Sequence, residues 1–285
     1  MARRTPRPGV TAYQAAPRPG TGAPLTDEER IRPRAMVRHT GALVRRNLLQ
    51  IRQNPESMTD ALLMPIVLTV LFVFVFGGAV GGSRARYTAF LVPGLMVILG
   101  MTIAMAVGTG VNDDFRTGLM DRFRTMPIAR SSVLLAKIVV ETGRMLVALA
   151  VLLLVAAVLG FDFTGRWPGI AAAVALTTVF GTSLIWIFML LGLTLRSAQA
   201  IQGLSVLVLT PLQFGSSIFV SPTTMPDWLQ TFTRINPLTH MADAARGLIL
   251  GTGPVAGPVL WTLAWSLTLT AVTAPLAVAK FRSKT

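Results

Sequence analysis

Glu141 and Arg144 are the one ionisable pair that this sequence sets inside a long apolar segment, and their three-residue spacing brings both side chains to one face of a helix. An unpaired charge at the centre of a membrane helix costs about 2.5–3.5 kcal/mol on insertion scales. Mutual neutralisation near the cytoplasmic surface and a gating or coupling contact are both open to such a pair. The other reactive side chains offer less. Ser216 and Ser217 follow Gly215 in an apolar stretch, but no neighbouring segment supplies the base that a hydrolase would need, and small residues there suit helix packing. His39 and His240 are the only histidines, H-E-x-x-H does not occur and there is no cysteine, so neither a metal site nor a thiol nucleophile is expected. Lysine occurs only at positions 137, 280 and 284, and no G-x-x-x-x-G-K-[ST] phosphate loop can be assembled around it. Asp60, Asp162 and Asp243 fall near expected segment ends, which leaves no deep carboxylate of the kind that ion-coupled carriers use.

Between Asp113 and Lys137 lies a charged island, DDFRTGLMDRFRTMPIARSSVLLAK, with apolar runs on both sides. Its basic residues (Arg116, Arg122, Arg124, Arg130, Lys137) and acidic ones (Asp113, Asp114, Asp121) need water, so the island must lie outside the bilayer. Phe115, Leu119, Phe123 and Met126 recur at three-to-four-residue spacing and Pro127 stops the pattern, which predicts a short amphipathic helix with an enforced end. An apolar face beside a basic edge suits docking on another protein. A helix lying on lipid headgroups would carry the same pattern.

The elements around the island must hold it at a membrane surface. With 52% hydrophobic and 13% charged residues and a mean hydropathy of +0.62, the chain lies outside soluble globular usage and reads as an all-α polytopic membrane protein. A bilayer core of about 30 Å takes about 20 helical residues. Six spans are expected: 61–80, 89–112, 138–161, 167–195, 200–220 and 258–278, with Pro211 interrupting the fifth. The first is expected to serve as the insertion signal. Lys and Arg number twenty on one set of connections and termini and five on the other, which predicts both termini in the cytoplasm. The net charge of +14 is mostly this topology signal plus attraction to anionic lipid, and nucleic-acid binding is not expected.

Residues 1–33 are rich in Pro, Gly and Arg without any period and are expected to be a disordered basic tail. Residues 34–54 carry the stripe Val37, Gly41, Val44, Leu48 and Ile51 with arginine flanks, the pattern of an interfacial amphipathic helix. Residues 55–285 then form the membrane domain. Within it, the outer connection 221–257 is too long for a bare turn and is expected to hold two short helices, Asp227–Thr233 and Leu238–Leu250, broken at Asn236-Pro237.

Two stretches carry a resemblance. The first contains Asp114, Gly118, Arg122, Phe123, Arg124, Met126, Pro127 and Ile128. The second is PLQFGSSIFVSPTTMPDWLQTFTRINPLTHMADAARGLILG, with Trp228, Asn236, Pro237 and Arg246. Together they resemble the membrane subunit of ABC-2 type ATP-driven exporters, and within that group the daunorubicin/doxorubicin-resistance permeases of bacteria. The chain departs mildly from them in having Asp113, Asp114 and Phe123 where glutamates and a leucine are common.

The resemblance implies a six-span subunit in the bacterial plasma membrane that pairs with a second copy and sits on two copies of a cytoplasmic ABC ATPase. Residues 34–54 would be the connecting helix. Asp114, Phe115, Gly118, Arg122, Phe123, Arg124, Met126 and Pro127 would form the ATPase-coupling helix, and ATP and Mg would be held by the partner, with no cofactor in this chain. The substrate would be hydrophobic or amphipathic, in a cavity walled by Met96, Met101, Met105, Gln202, Gln213 and Phe214, each of which could equally be a packing residue. An ion-coupled secondary transporter is the alternative, and it would work without an ATPase partner.

Overall fold

The computed structural model describes residues 84–117, 130–163, 165–251 and 253–284, together with 63, 66, 67, 69–75 and 77. The expected tail 1–33, the expected connecting helix 34–54 and part of the expected first span lie outside the described residues, as do residues 118–129. The described chain is helical: α1 (Arg84–Arg116), α2 (Arg130–Val158), α3 (Trp167–Thr194), α4 (Ala198–Phe214), a 3-10 turn (Pro222–Thr224), α5 (Asp227–Ile235), α6 (Pro237–Leu250) and α7 (Ala256–Lys284). Among the described residues α1, α2, α3 and α7 contain stretches long and apolar enough to cross a membrane, and α4 is a shorter apolar helix.

Several boundaries differ from those read in the sequence. α1 starts five residues before the expected 89 and continues to Arg116, so Asp113, Asp114 and Phe115 belong to its last turn rather than to a separate helix. α2 begins at Arg130, and so takes up the far end of the charged island as well. α4 stops at Phe214 rather than at 220. There Gly215 packs so tightly against the Phe232 ring and the Pro211 carbonyl that a Cβ would lie 2.6 and 2.8 Å from them. Pro211 sits in the last turn of α4 rather than interrupting a longer span. Lys280, Arg282 and Lys284, read as a tail, continue α7.

α3 is apolar on every side and occupies the centre, packed on α1, α7, α6 and α2, while α4 lies along α1. The α1–α3 seam is made by glycines. A Cβ on Gly108 would stand 2.7 Å from the Phe188 carbonyl oxygen, one on Gly192 would collide with the Gly108 carbonyl, and Gly100 faces Gly181. With lipid rather than water around the bundle, such close backbone approach and the dispersion contacts it permits drive association. Several hydroxyls inside the spans are spent locally, although Thr142 of α2 and Thr182 of α3 pair across the helices. Thr102, Thr177, Thr178 and Thr262 each donate to the carbonyl four residues earlier, which satisfies them without a partner helix.

α6 starts with an Asn-Pro signal and ends on a glycine. Asn236 caps it by accepting from the Leu238 amide at 2.9 Å, Pro237 takes the first helical position, and Gly251 closes it in the left-handed region at φ 67°. The helix inserts between α3, α7 and α1.

Candidate functional site

One end of the bundle is charged, with Asp113, Asp114, Arg116, Lys137, Lys280, Arg282 and Lys284. The C-terminal ends of α1, α3 and α7 and the N-terminal ends of α2 and α4 share it, because successive long helices run antiparallel. α1 and α2 are the two pillars from which residues 118–129 depart. They are joined by Lys137 Nζ, which donates to Asp114 Oδ2 at 2.6 Å, a charge-assisted bond between partly exposed groups. Beside it, Phe115 meets Phe281 of α7 edge-on at 5.9 Å, and the Lys284 ammonium lies 5.5 Å from the centre of the Phe115 ring. One turn deeper, Asn112 donates to the carbonyls of Gly192 and Leu195 at 3.2 and 2.8 Å, fixing the end of α1 to the end of α3. The end of α1 is thus fastened to three neighbouring helices.

Within α2, Arg144 Nη2 lies 2.9 Å from Glu141 Oε2. The approach is too poorly aligned for a hydrogen bond, and Glu141 Oε2 and Arg144 Nε are buried without one.

The opposite end holds a second polar cluster. Arg246 of α6 donates Nη1 to Asp243 Oδ1 at 2.7 Å, Nη2 to the Ser217 carbonyl at 2.9 Å, and both Nε and Nη2 to the Phe90 carbonyl at 3.3 and 3.2 Å. Ser217 Oγ donates to the same Asp243 oxygen at 2.7 Å. Burial lowers the Arg246 pKa, and the Asp243 charge and hydrogen bond oppose that shift. Asn236 binds the end of α4 by donating to the carbonyls of Leu212 and Gly215, both at 2.8 Å.

Comparison with known proteins bears on what such a bundle does. The family model for ABC-2 type transporters matches residues 38–250. The chain is 36% identical over 239 residues to daunorubicin resistance ABC transporter permease protein DrrB1 of Streptomyces coeruleorubidus, covering 84% of each protein.

The chain belongs to the ABC-2 type transporter family.

It is also 25% identical over 257 residues to the probable doxorubicin resistance ABC transporter permease protein DrrC of Mycobacterium tuberculosis, covering 88% of this chain and 91% of that one. The inner membrane transport permease YhhJ of Escherichia coli is 30% identical over 176 residues, or 59% of this chain and 46% of that protein. An ABC-2 permease is a multi-pass membrane protein, in keeping with the apolar helices.

Of the residues that the sequence assigns to ATPase coupling in this permease, Asp114 and Phe115 stand at the charged end, while Gly118, Arg122, Phe123, Arg124, Met126 and Pro127 lie outside the described residues. The residues expected to wall a cavity between two copies differ in exposure within one copy. Met96 and Met101 are fully buried in the α1 core and Met105 is half-buried, whereas Gln202 and Phe214 are exposed on α4 and Gln213 is half-buried. Met96 and Met101 are therefore packing residues within this copy, as the glycine seam draws their face of α1 inward. On α5, Trp228 is exposed.

Sequence reading passed over Asn112 and gave Lys137, Asp243 and Ser217 no partner. Asp243 and Arg246 have the same i,i+3 spacing that singled out Glu141 and Arg144, so a search for charge pairs in short helices would have found them. Ser217 does have an acidic neighbour, but the Asp243 carboxylate is committed to Arg246 and serves as an anchor.

Proposed function

We propose that this permease is the membrane subunit of an ATP-driven exporter that moves an amphipathic, drug-like or lipid-like substrate out of the bacterial cytoplasm or inner leaflet. A separate ABC ATPase supplies the energy, binding ATP and Mg2+ itself. Two copies of the permease enclose the path, both termini lie in the cytoplasm, and residues 118–129 dock on the ATPase. The observation that carries this reading is the Asp114–Lys137 bond. It ties the two helices flanking that segment into one unit, so a push on the segment moves both helices rather than bending a slack loop. The likeness to drug-resistance permeases supports the substrate class.

The test is co-purification with the ABC ATPase encoded beside it, followed by ATP turnover and substrate export in vesicles. Wild type should retain the ATPase, and Arg124→Glu should weaken capture while leaving insertion intact. A permease that stays folded, captures no ATPase and still transports on an ion gradient would replace this reading with an ion-coupled carrier.

A further inference from the structure

Lys137 stands at the foot of a charged ladder. Lys137, Glu141 and Arg144 are spaced i, i+4 and i+7, which lines them along one stripe of α2 leading from the charged end into the membrane span. In the state described here the Lys137 ammonium is engaged by Asp114. The ammonium also lies beside Gly110 of α1, where a Cβ would stand in ordinary contact at 3.5 Å from Nζ. One turn along, Glu141 has only a misaligned approach from Arg144, whose side chain is 9% exposed. A buried pair held in this way adds little stability over two apolar side chains of the same size. It becomes useful if a better-aligned donor reaches Glu141 in another state, and Lys137 is one turn away with three donors on a flexible stem.

We propose that Lys137 is a positioning residue that exchanges Asp114 for Glu141 during the transport cycle, carrying displacement of the end of α1 to the Glu141–Arg144 pair inside the membrane. The inference rests on the ATP-driven reading above. When the end of α1 moves away, Asp114 releases the ammonium. Lys137 then swings along α2 to Glu141, giving that carboxylate an aligned donor and loosening its hold on Arg144. The two arrangements differ in kind, because the bond to Asp114 ties α2 to α1 whereas a bond to Glu141 stays within α2, the property a switch requires.

The chain's three lysines make a direct test possible. An amine-acylating reagent with a mass-spectrometric readout compares Lys137 with the exposed Lys280 and Lys284 in the same molecule, in the resting complex and in one trapped with ATP and vanadate. Trapping should lower Lys137 reactivity about fivefold relative to the other two, and Glu141→Gln should abolish that protection and reduce substrate moved per ATP by about fivefold while ATPase capture is kept. Asp114→Glu should preserve both. Unchanged Lys137 reactivity on trapping overturns the exchange even if Glu141→Gln fails to accumulate, and wild-type transport per ATP in Glu141→Gln overturns it also. Both results leave the exporter reading standing. Failure of the wild-type permease to form any ATP-hydrolysing complex removes that reading first.

Discussion

Arg246 holds Phe90 twice: its guanidinium carbon lies 4.0 Å from the centre of the Phe90 ring, and its Nη2 donates to the Phe90 carbonyl at 3.2 Å. Phe90 lies in the early turns of α1, three residues before Pro93, whose missing amide already weakens the local backbone ladder. Through the Ser217 carbonyl the same side chain reaches the turn after α4. Three elements thus share one anchor.

Replacing that anchor leaves Asp243 without its cation and two carbonyls without their donor. Arg246→Ala should lower stability by about 3 kcal/mol, the low end for breaking a buried pair because Asp243 is partly exposed. Arg246→Lys should recover only part of it, since an ammonium cannot reproduce the planar fork. Thermal unfolding in detergent measures both, and equal melting of Arg246→Ala and wild type would show the anchor to be energetically idle.

The glycine seam yields a paired prediction. Gly192→Ala puts a methyl group against the Gly108 carbonyl and forces α1 and α3 apart, a cost of about 1–3 kcal/mol. Gly143 on α2 has nothing within 4 Å of a Cβ, so Gly143→Ala should be neutral or gain up to about 1 kcal/mol of helix propensity. Melting curves that fail to separate the two variants would count against the seam.

The sequence disclosed the long elements because apolar runs and helix punctuation are local. Trp167–Thr194 and the Asn236-Pro237 start of α6 were readable to within a residue. Charged helix ends misled it. Asp113, Asp114 and Phe115 read as part of a separate amphipathic helix, yet they continue α1, with Asp113 and Arg116 exposed at its end. The partners of Lys137, Asn112 and Arg246 were hidden for a different reason. Each bonds across 23 to 156 positions, set by which helices become neighbours, and no local pattern records that choice. The burial of Met96 and Met101 was hidden on the same ground, because a uniformly apolar helix does not declare which face turns inward.

Asn236 spends three hydrogen bonds at once, capping α6 and closing the end of α4. Asn236→Ala should cost more than the roughly 1 kcal/mol of an ordinary cap, since two carbonyls at the end of α4 also lose their donor. Asn236→Asp should retain the cap yet lose both donations. Intermediate melting of the aspartate variant checks this division, and stability equal to wild type would assign the whole effect to the cap.

His240 stacks on Trp261 of α7 at 5.6 Å between ring centres, nearly parallel at 15°. Burial lowers its pKa from the ordinary 6.5, and the Asp243 charge and a backbone hydrogen bond with Arg234 oppose that shift without cancelling it. The folded state therefore binds the imidazole proton less tightly than the unfolded chain does. As pH falls through the ordinary histidine value, the unfolded chain takes up protons first, so this contribution to stability is complete above that value and declines below it until the folded-state pKa is passed. Melting temperature followed from pH 8 to pH 5 should drop for wild type and drop less for His240→Gln, in which no imidazole titrates. Parallel curves for the two proteins would place the acid sensitivity elsewhere.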